Sequence, residues 1–244
     1  MVAPLSAHPR RDPVIEDARA GVALADEAAV RAFRKAPHGA SAAAAGDPGA
    51  GLLSDDAFED VVRRRGSSRA FARTGLPSGE YAALADLALA GFAGDRSAVP
   101  LEALVVASAL EGLEPGAYAY GPGFRPLRAG EFRRQAAYLC LEQRLGADAA
   151  AVTFLAADLR SAVDGSGGRG YGWAQLGAAV AAGRMYLGAY GQCLGATGTT
   201  FYDDEVRSFF GTDAEPMMAV ALGPEGRRRS IRRCRAELEG GPGG

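Results

Sequence analysis

The sequence predicts an α+β domain, with a small, mostly antiparallel sheet among helices, one of them long. Three observations predict it. The apolar runs "PLEALVVAS", "AVTFLAAD" and "EPMMAVALG" have the length and composition of buried strands. The stretch "GLEPGAYAYGPG" places glycine and proline where a chain folds straight back on itself. Helical periodicity returns between the strands and is sustained longest over residues 173–194.

Taken in order, residues 1–51 form an extension or linker. A proline-containing start leads to one short amphipathic helix at "DEAAVRAFRKA", then to the Gly/Ala/Pro-rich "PHGASAAAAGDPGAG". The domain spans 52–225 and opens on "LLSDDAFEDVVRRRG". There Ser54 can cap, Asp55, Asp56 and Glu59 suit a first turn, Arg63–Arg65 a last turn, and Gly66 a stop. A second helix runs from about Ser78 to Ala90, followed by the "PLEALVVAS" strand. "GLEPGAYAYGPG" reads as turn, short strand and turn, and helix returns at about 129–145. The "AVTFLAAD" strand, the long helix and the "EPMMAVALG" strand complete the domain. Residues 226–244 form a basic, then glycine-rich, tail.

The chain has 244 residues, 48% of them apolar, and a formal net charge of −2, which argues against a general nucleic-acid binder. The N-terminus has no apolar leader, and the long helix carries Gln175, Arg184 and Gln192, as a buried helix does and a membrane span does not. Cys140, Cys193 and Cys234 show no CxxC spacing and read as reduced thiols of a cytoplasmic protein, with no metal site. Two histidines, His8 and His38, and one lysine, Lys35, all precede residue 40. The main domain therefore lacks a Ser-His-Asp triad, a Walker lysine and a Schiff-base lysine, so any chemistry there falls to a cofactor. Arginine replacing lysine through coding bias accounts for lost surface lysines, but it returns no base to the core.

The most charged stretch is "RRRGSSRAF", residues 63–71. Arg65 and Arg69 can fork onto one phosphate, with Ser67, Ser68 and backbone N–H groups freed by Gly66 adding donors. The residues alone equally allow a solvated basic helix end.

"RRRGSSRAF" resembles the phosphate-binding motif of FMN-dependent nitroreductase-fold oxidoreductases. "LEPGAYAY", "GRGYGWAQLGAAVAAGRMYLGAYGQCLGATGTTFYDDEV" and "MMAVALG" are similar to the SagB-type, thiazole/oxazole-forming dehydrogenase branch. The likeness covers about 54–224 and is most specific over 169–206. It implies a nitroreductase-like fold that forms dimers through the long helix, rich in small residues. It implies FMN held by Arg65, Ser67 and Arg69. The loop around Gly198, Thr199 and Thr200 would lie at the flavin N5 edge, with the N–H of Thr199 or Thr200 stabilising charge there. Arg227 or Arg229 would add a phosphate contact, unless that segment is simply a solvated basic tail.

Two departures accompany the resemblance. Azole-forming members carry a Lys-Tyr pair before the central helix, whereas "SGGRGYGWAQ" keeps Arg169 and Tyr171 without a lysine. Tyrosine unaided is a poor base at neutral pH. A Pro-Ser-x-Gly-type loop that contacts the flavin ring is also missing, with only Arg96 and Ser97 near that place. Both losses suit a chain that resembles the second half of two-domain members. It would work as a homodimer, or as a heterodimer with another nitroreductase-like subunit. The implied activity is azoline-to-azole dehydrogenation of a modified peptide. The alternatives are general NAD(P)H-dependent reduction of a small nitro or quinone substrate, and a non-catalytic subunit that completes a partner's flavin site.

Overall fold

The computed structural model describes residues 13–35, 58–90 and 99–226. In chain order the helices are α1 (Pro13–Val22), α2 (Glu27–Lys35), α3 (Phe58–Arg64), α4 (Ser78–Leu89), α5 (Arg133–Leu139), α6 (Arg144–Asp148), α7 (Leu159–Ser166), α8 (Arg169–Gly191) and α9 (Asp203–Phe210). The strands are β1 (Leu76–Pro77), β2 (Leu101–Ala107), β3 (Leu110–Glu111), β4 (Gly116–Gly121), β5 (Gly123–Ala129), β6 (Ala151–Ala157), β7 (Gly195–Thr199) and β8 (Glu215–Gly223). Six strands form one sheet in the order β5-β4-β2-β6-β8-β7, every neighbouring pair antiparallel. The short β1 and β3 pair in parallel beside it.

The central strands are almost wholly apolar, with Thr153 the buried exception in β6, because both faces of the sheet are covered. Ala103, Val105, Leu155, Val220 and Leu222 point to one core, shared with Leu84 of α4 and Ala178 and Met185 of α8. Leu104, Val106, Val152, Phe154 and Ala221 point to the other, with Leu139 of α5 and Val206 and Phe210 of α9. The alternation of side chains along a strand sends neighbours into opposite layers. In the first core the buried Tyr81 hydroxyl meets Thr153 Oγ1 at 2.7 Å, and burial holds that phenol above its ordinary range.

Small residues let α8 approach its neighbours. A methyl group on Gly170 would strike the backbone of Ala162 in α7, and one on Gly188 would lie 2.5 Å from Leu84 Cδ2 in α4. Gly172 and Gly183 have nothing within 4 Å of that position. The glycines of α8 therefore serve packing within the chain at some positions and lie on an open face at others.

The differences from expectation have local causes. The long helix starts at Arg169, four residues before 173, and the N-terminal extension carries two helices rather than one. The region expected as one helix at 129–145 breaks into α5 and α6, because Leu141 and Glu142 take φ of 55° and 60°. β5 escaped notice because it is an edge strand with five of its seven residues exposed, so it has no apolar run. Gly123 opens it at φ 137°, a conformation that glycine tolerates and other residues rarely adopt. β7, "GATGT", reads as a loop because three of its residues are glycine or alanine. The expected Ser54–Asp56 helix start, Arg96, Ser97 and the 227–244 tail lie outside the described residues.

Candidate functional site

Each arginine of the 63–69 run has a different neighbour. Arg63 pairs with Asp60 of its own helix at 3.3 Å. Arg64 Nη2 donates to the Tyr190 carbonyl at 2.8 Å, in the last turn of α8, where helix carbonyls carry partial negative charge. The Arg65 guanidinium lies 5.9 Å from the centre of the Tyr186 ring. Arg69 lines a cleft of about 590 Å³ with Phe71, Arg144, Leu145 and Asp148. In that cleft the buried Asp148 carboxylate accepts from Arg73 Nε, and from Arg144 Nε at 3.0 Å. Ser67, Arg65 and Arg69 are exposed, and neither arginine makes an ion pair among the described residues.

The backbone of this run is fixed against the sheet. Ser68 N–H donates to Ala196 O of β7 at 2.9 Å. Its buried hydroxyl donates to Glu225 Oε1 at 2.8 Å and lies 3.1 Å from the Tyr190 hydroxyl, which donates to the same carboxylate oxygen at 3.3 Å. Gly195 has no side chain to displace that hydroxyl, and a methyl there would collide with it. Farther along, Ala72 N–H donates to Pro224 O, and Gly226 N–H to Ala70 O, both at 3.0 Å. The run therefore lies beside the segment that leads into Arg227 and Arg229, which are themselves outside the described residues.

Tyr186 joins two parts of the sequence-derived site. Its hydroxyl accepts the N–H of Gly198, so the side chain that carries Arg65 over its ring also holds the end of β7 where the chain leaves the strand into the 200–202 loop. That N–H is thereby committed. Next to it, Gln143 Nε2 donates to Thr199 Oγ1 at 2.8 Å, and Thr199 Oγ1 donates to Thr200 O at 3.1 Å. Tyr202 N–H donates to Leu139 O at 3.0 Å, closing the loop against the end of α5. Gly198 and Thr200 are exposed and Thr199 is half-buried.

Arg169 and Tyr171 lie elsewhere. They begin α8, fifteen or more residues before Tyr186, which is about 22 Å along the axis at 1.5 Å per residue. Arg169 donates to Val22 O of α1, and its guanidinium lies 4.7 Å from the centre of the Phe33 ring of α2. Tyr171 is 50% exposed and takes a hydrogen bond from Gln175 Nε2 at 3.0 Å. The two line a hollow of about 420 Å³ with Val22, Gly168, Gly172 and Trp173. A single chain thus assembles Arg65, Gly198, Thr199 and Thr200 in one region, while Arg169 and Tyr171 attach the N-terminal helices.

Sequence reasoning missed Gln143, Tyr186, Tyr190 and Glu225. The tyrosines had a legible signal in their i, i+4 spacing on the long helix, directly before the glycine-rich loop. Gln143 and Glu225 had none, because their partners are 56 and 157 residues away. Burial pushes the Cys140 thiol up to about 12, which suits packing rather than reactivity. Among the described residues no helix is long and apolar enough to cross a membrane, and no group of His, Cys, Asp or Glu is arranged to hold a metal.

This arrangement sits within a match to the Nitroreductase family over residues 62–224, two thirds of the chain. The chain belongs to the nitroreductase family. A solved structure from Anabaena variabilis, named as a nitroreductase, shares 31% identity with a TM-score of 0.65, covering 69% of this chain and 38% of that one. This chain therefore spans well under half the length of that relative. A nitroreductase-named structure from Ralstonia eutropha has 18% identity and a TM-score of 0.57, covering 71% and 85%. A Staphylococcus epidermidis structure named as an NAD(P)H:FMN oxidoreductase has 14% identity and a TM-score of 0.53, covering 74% and 93%. These last two establish likeness of fold. No curated protein matches.

Proposed function

We propose that the chain is an FMN-dependent oxidoreductase that moves hydride between a substrate and the flavin N5. The observation that carries this reading is Tyr186, which lies beneath Arg65 and holds Gly198. One side chain thus ties the anion-binding run to the loop expected beside N5. The donors fit the phosphate end of FMN: Arg65 and Arg69 are exposed cations without a carboxylate partner among the described residues, and Ser67 adds an exposed hydroxyl between them.

FMN, when bound, supplies the hydride chemistry. Arg65, Ser67 and Arg69 would hold the phosphate and ribityl chain, with Arg227 and Arg229 adding positive charge after Gly226 in the sequence. Arg64, Ser68, Tyr190 and Glu225 hold the run in place through hydrogen bonds within the chain. The backbone N–H of Thr199 or Thr200 would stabilise charge at N5.

General reduction of nitro or quinone compounds with NAD(P)H is the activity that this geometry supports best. It needs no protein base, and Tyr171 lies about 22 Å along α8 from Tyr186. A second reading, azoline-to-azole dehydrogenation of a modified peptide, draws on the exposure of Tyr171 beside an open helix face. Gly172, Leu176, Ala179 and Gly183 recur at i, i+4, i+7 and i+11 on that face, and all are exposed. A second copy of the chain, or another nitroreductase-like subunit, packed there would bring its own Tyr171 or a lysine to the flavin. The matched span makes up 38% of the Anabaena chain, which leaves room there for such a second half.

The test is an absorbance titration of the full chain with FMN, beside Arg65→Ala/Arg69→Ala. Loss of two charge-assisted contacts weakens FMN binding at least about a hundredfold. A wild-type chain that takes up no FMN, alone or with a nitroreductase-like partner, would sink the flavin reading. Uptake only with the partner would make this chain the completing subunit.

A further inference from the structure

Resting on the flavin reading above, we propose that Gln143 is a positioning residue that sets the peptide orientation of the 199–202 loop. It is the N-cap residue of α6, yet its side chain makes no capping hydrogen bond. The amide instead crosses to another part of the chain and donates to Thr199 Oγ1. That hydroxyl has a single hydrogen, which it gives to the Thr200 carbonyl. The bond from Thr199 Oγ1 to Thr200 O closes a ring around the planar Thr199–Thr200 peptide, so it restrains the Thr200 N–H that the flavin reading sets near N5, and it aims the Phe201 N–H opposite to the Thr200 carbonyl. Gly198 is held from one side by Tyr186, and Tyr202 from the other by Leu139 O. The span between these clamps is set by Gln143.

The approach of Gln143 to the loop is costly. Leu141 and Glu142, immediately before it, are consecutive non-glycine residues at φ 55° and 60°. L-residues visit that region singly and rarely, and such strain persists where surrounding contacts over-determine it. Here the contacts on both sides are visible: Glu142 N–H donates to Tyr138 O at 3.3 Å, and Gln143 N–H to Cys140 O at 3.2 Å. The strained turn delivers the amide to the one hydroxyl in the loop that relays it to the backbone.

The experiment compares the full chain with Gln143→Met, which keeps length and packing and cannot donate. Without FMN, amide hydrogen exchange at Thr200, Phe201 and Tyr202 accelerates about tenfold, while the α6 amides are unchanged. With FMN bound, the equilibrium between oxidised and reduced flavin, read against a reference dye, shifts about tenfold, while FMN affinity changes less than about twofold. Thr199→Val gives the same exchange effect, and the double variant adds nothing further, as a single relay requires. Thr199→Ser, which keeps the hydroxyl, restores the exchange protection. FMN uptake with unchanged exchange and an unchanged flavin equilibrium in Gln143→Met would overturn this inference alone. A wild-type chain that binds no FMN would overturn the flavin reading and this inference together.

Discussion

The two ends of α8 are built differently. At the C-terminal end Tyr186, Gly188 and Tyr190 meet four separate segments: the 64–68 run through Arg64, Arg65 and Ser68, Gly198 of β7, Glu225 after β8, and Leu84 of α4. At the N-terminal end Gly170 packs tightly on α7, while the polar and ring contacts of Arg169 and Tyr171 among the described residues are with α1, α2 and their own helix. One end is over-determined by polar contacts from distant parts of the sequence, and the other is tied by a few contacts at the surface. On the proposed flavin reading, a ligand's fixed charge would sit at the first end, where the contacts already hold the geometry, and a second protein or a mobile substrate would meet the second.

Substitutions at the two ends sharpen this contrast. The largest effect is expected from Gly170→Ala, whose methyl meets the α7 backbone and cannot be accommodated by a side-chain rotation. It should lower unfolding stability by about 2–3 kcal/mol in denaturant titrations. Tyr190→Phe removes the hydroxyl that Ser68 and Glu225 share, for a loss of about 1–2 kcal/mol by the same measurement. Gly188→Ala meets only the flexible ends of Leu84 and Leu87, and the helix preference for alanine offsets that by about 1 kcal/mol, so the net change should be under about 1 kcal/mol. Tyr171→Phe, at a half-exposed position, should change stability by less than about 0.5 kcal/mol. A Tyr171→Phe loss as large as that of Tyr190→Phe would break the contrast.

The legible parts of the fold were those whose signal lies in contiguous residues. β2, β6 and β8 are buried on both faces, so their runs announce them, and Gly66 marks the end of α3's arginines. β5 and β7 are edge strands with little to bury, and no local pattern distinguishes them from loops. The same rule divides the site. Arg65, Ser67 and Arg69 stand in one short run, and Gly198, Thr199 and Thr200 in another, so each group could be named from sequence. That Tyr186 joins them depends on α8 returning its last turns to the edge of the sheet. Arg169 and Tyr171 stood close to the loop in sequence terms, and the length of one helix separates them in space.

The "RRRGSSRAF" segment has a second consequence through its backbone. β7 is one open margin of the sheet, and Ser68 pairs with Ala196 there; the other margin, β5, carries Arg125, Pro126 and Arg128. Unpaired strand margins invite chains to stack on one another, and proline or charge is a common safeguard. On the β7 side that safeguard is the segment which presents the arginines. Deleting or sliding this segment would therefore also expose an aggregation-prone margin. If the proposed flavin reading holds, a descendant that lost the cofactor would be expected to keep the segment's backbone path and change only the outward-facing side chains.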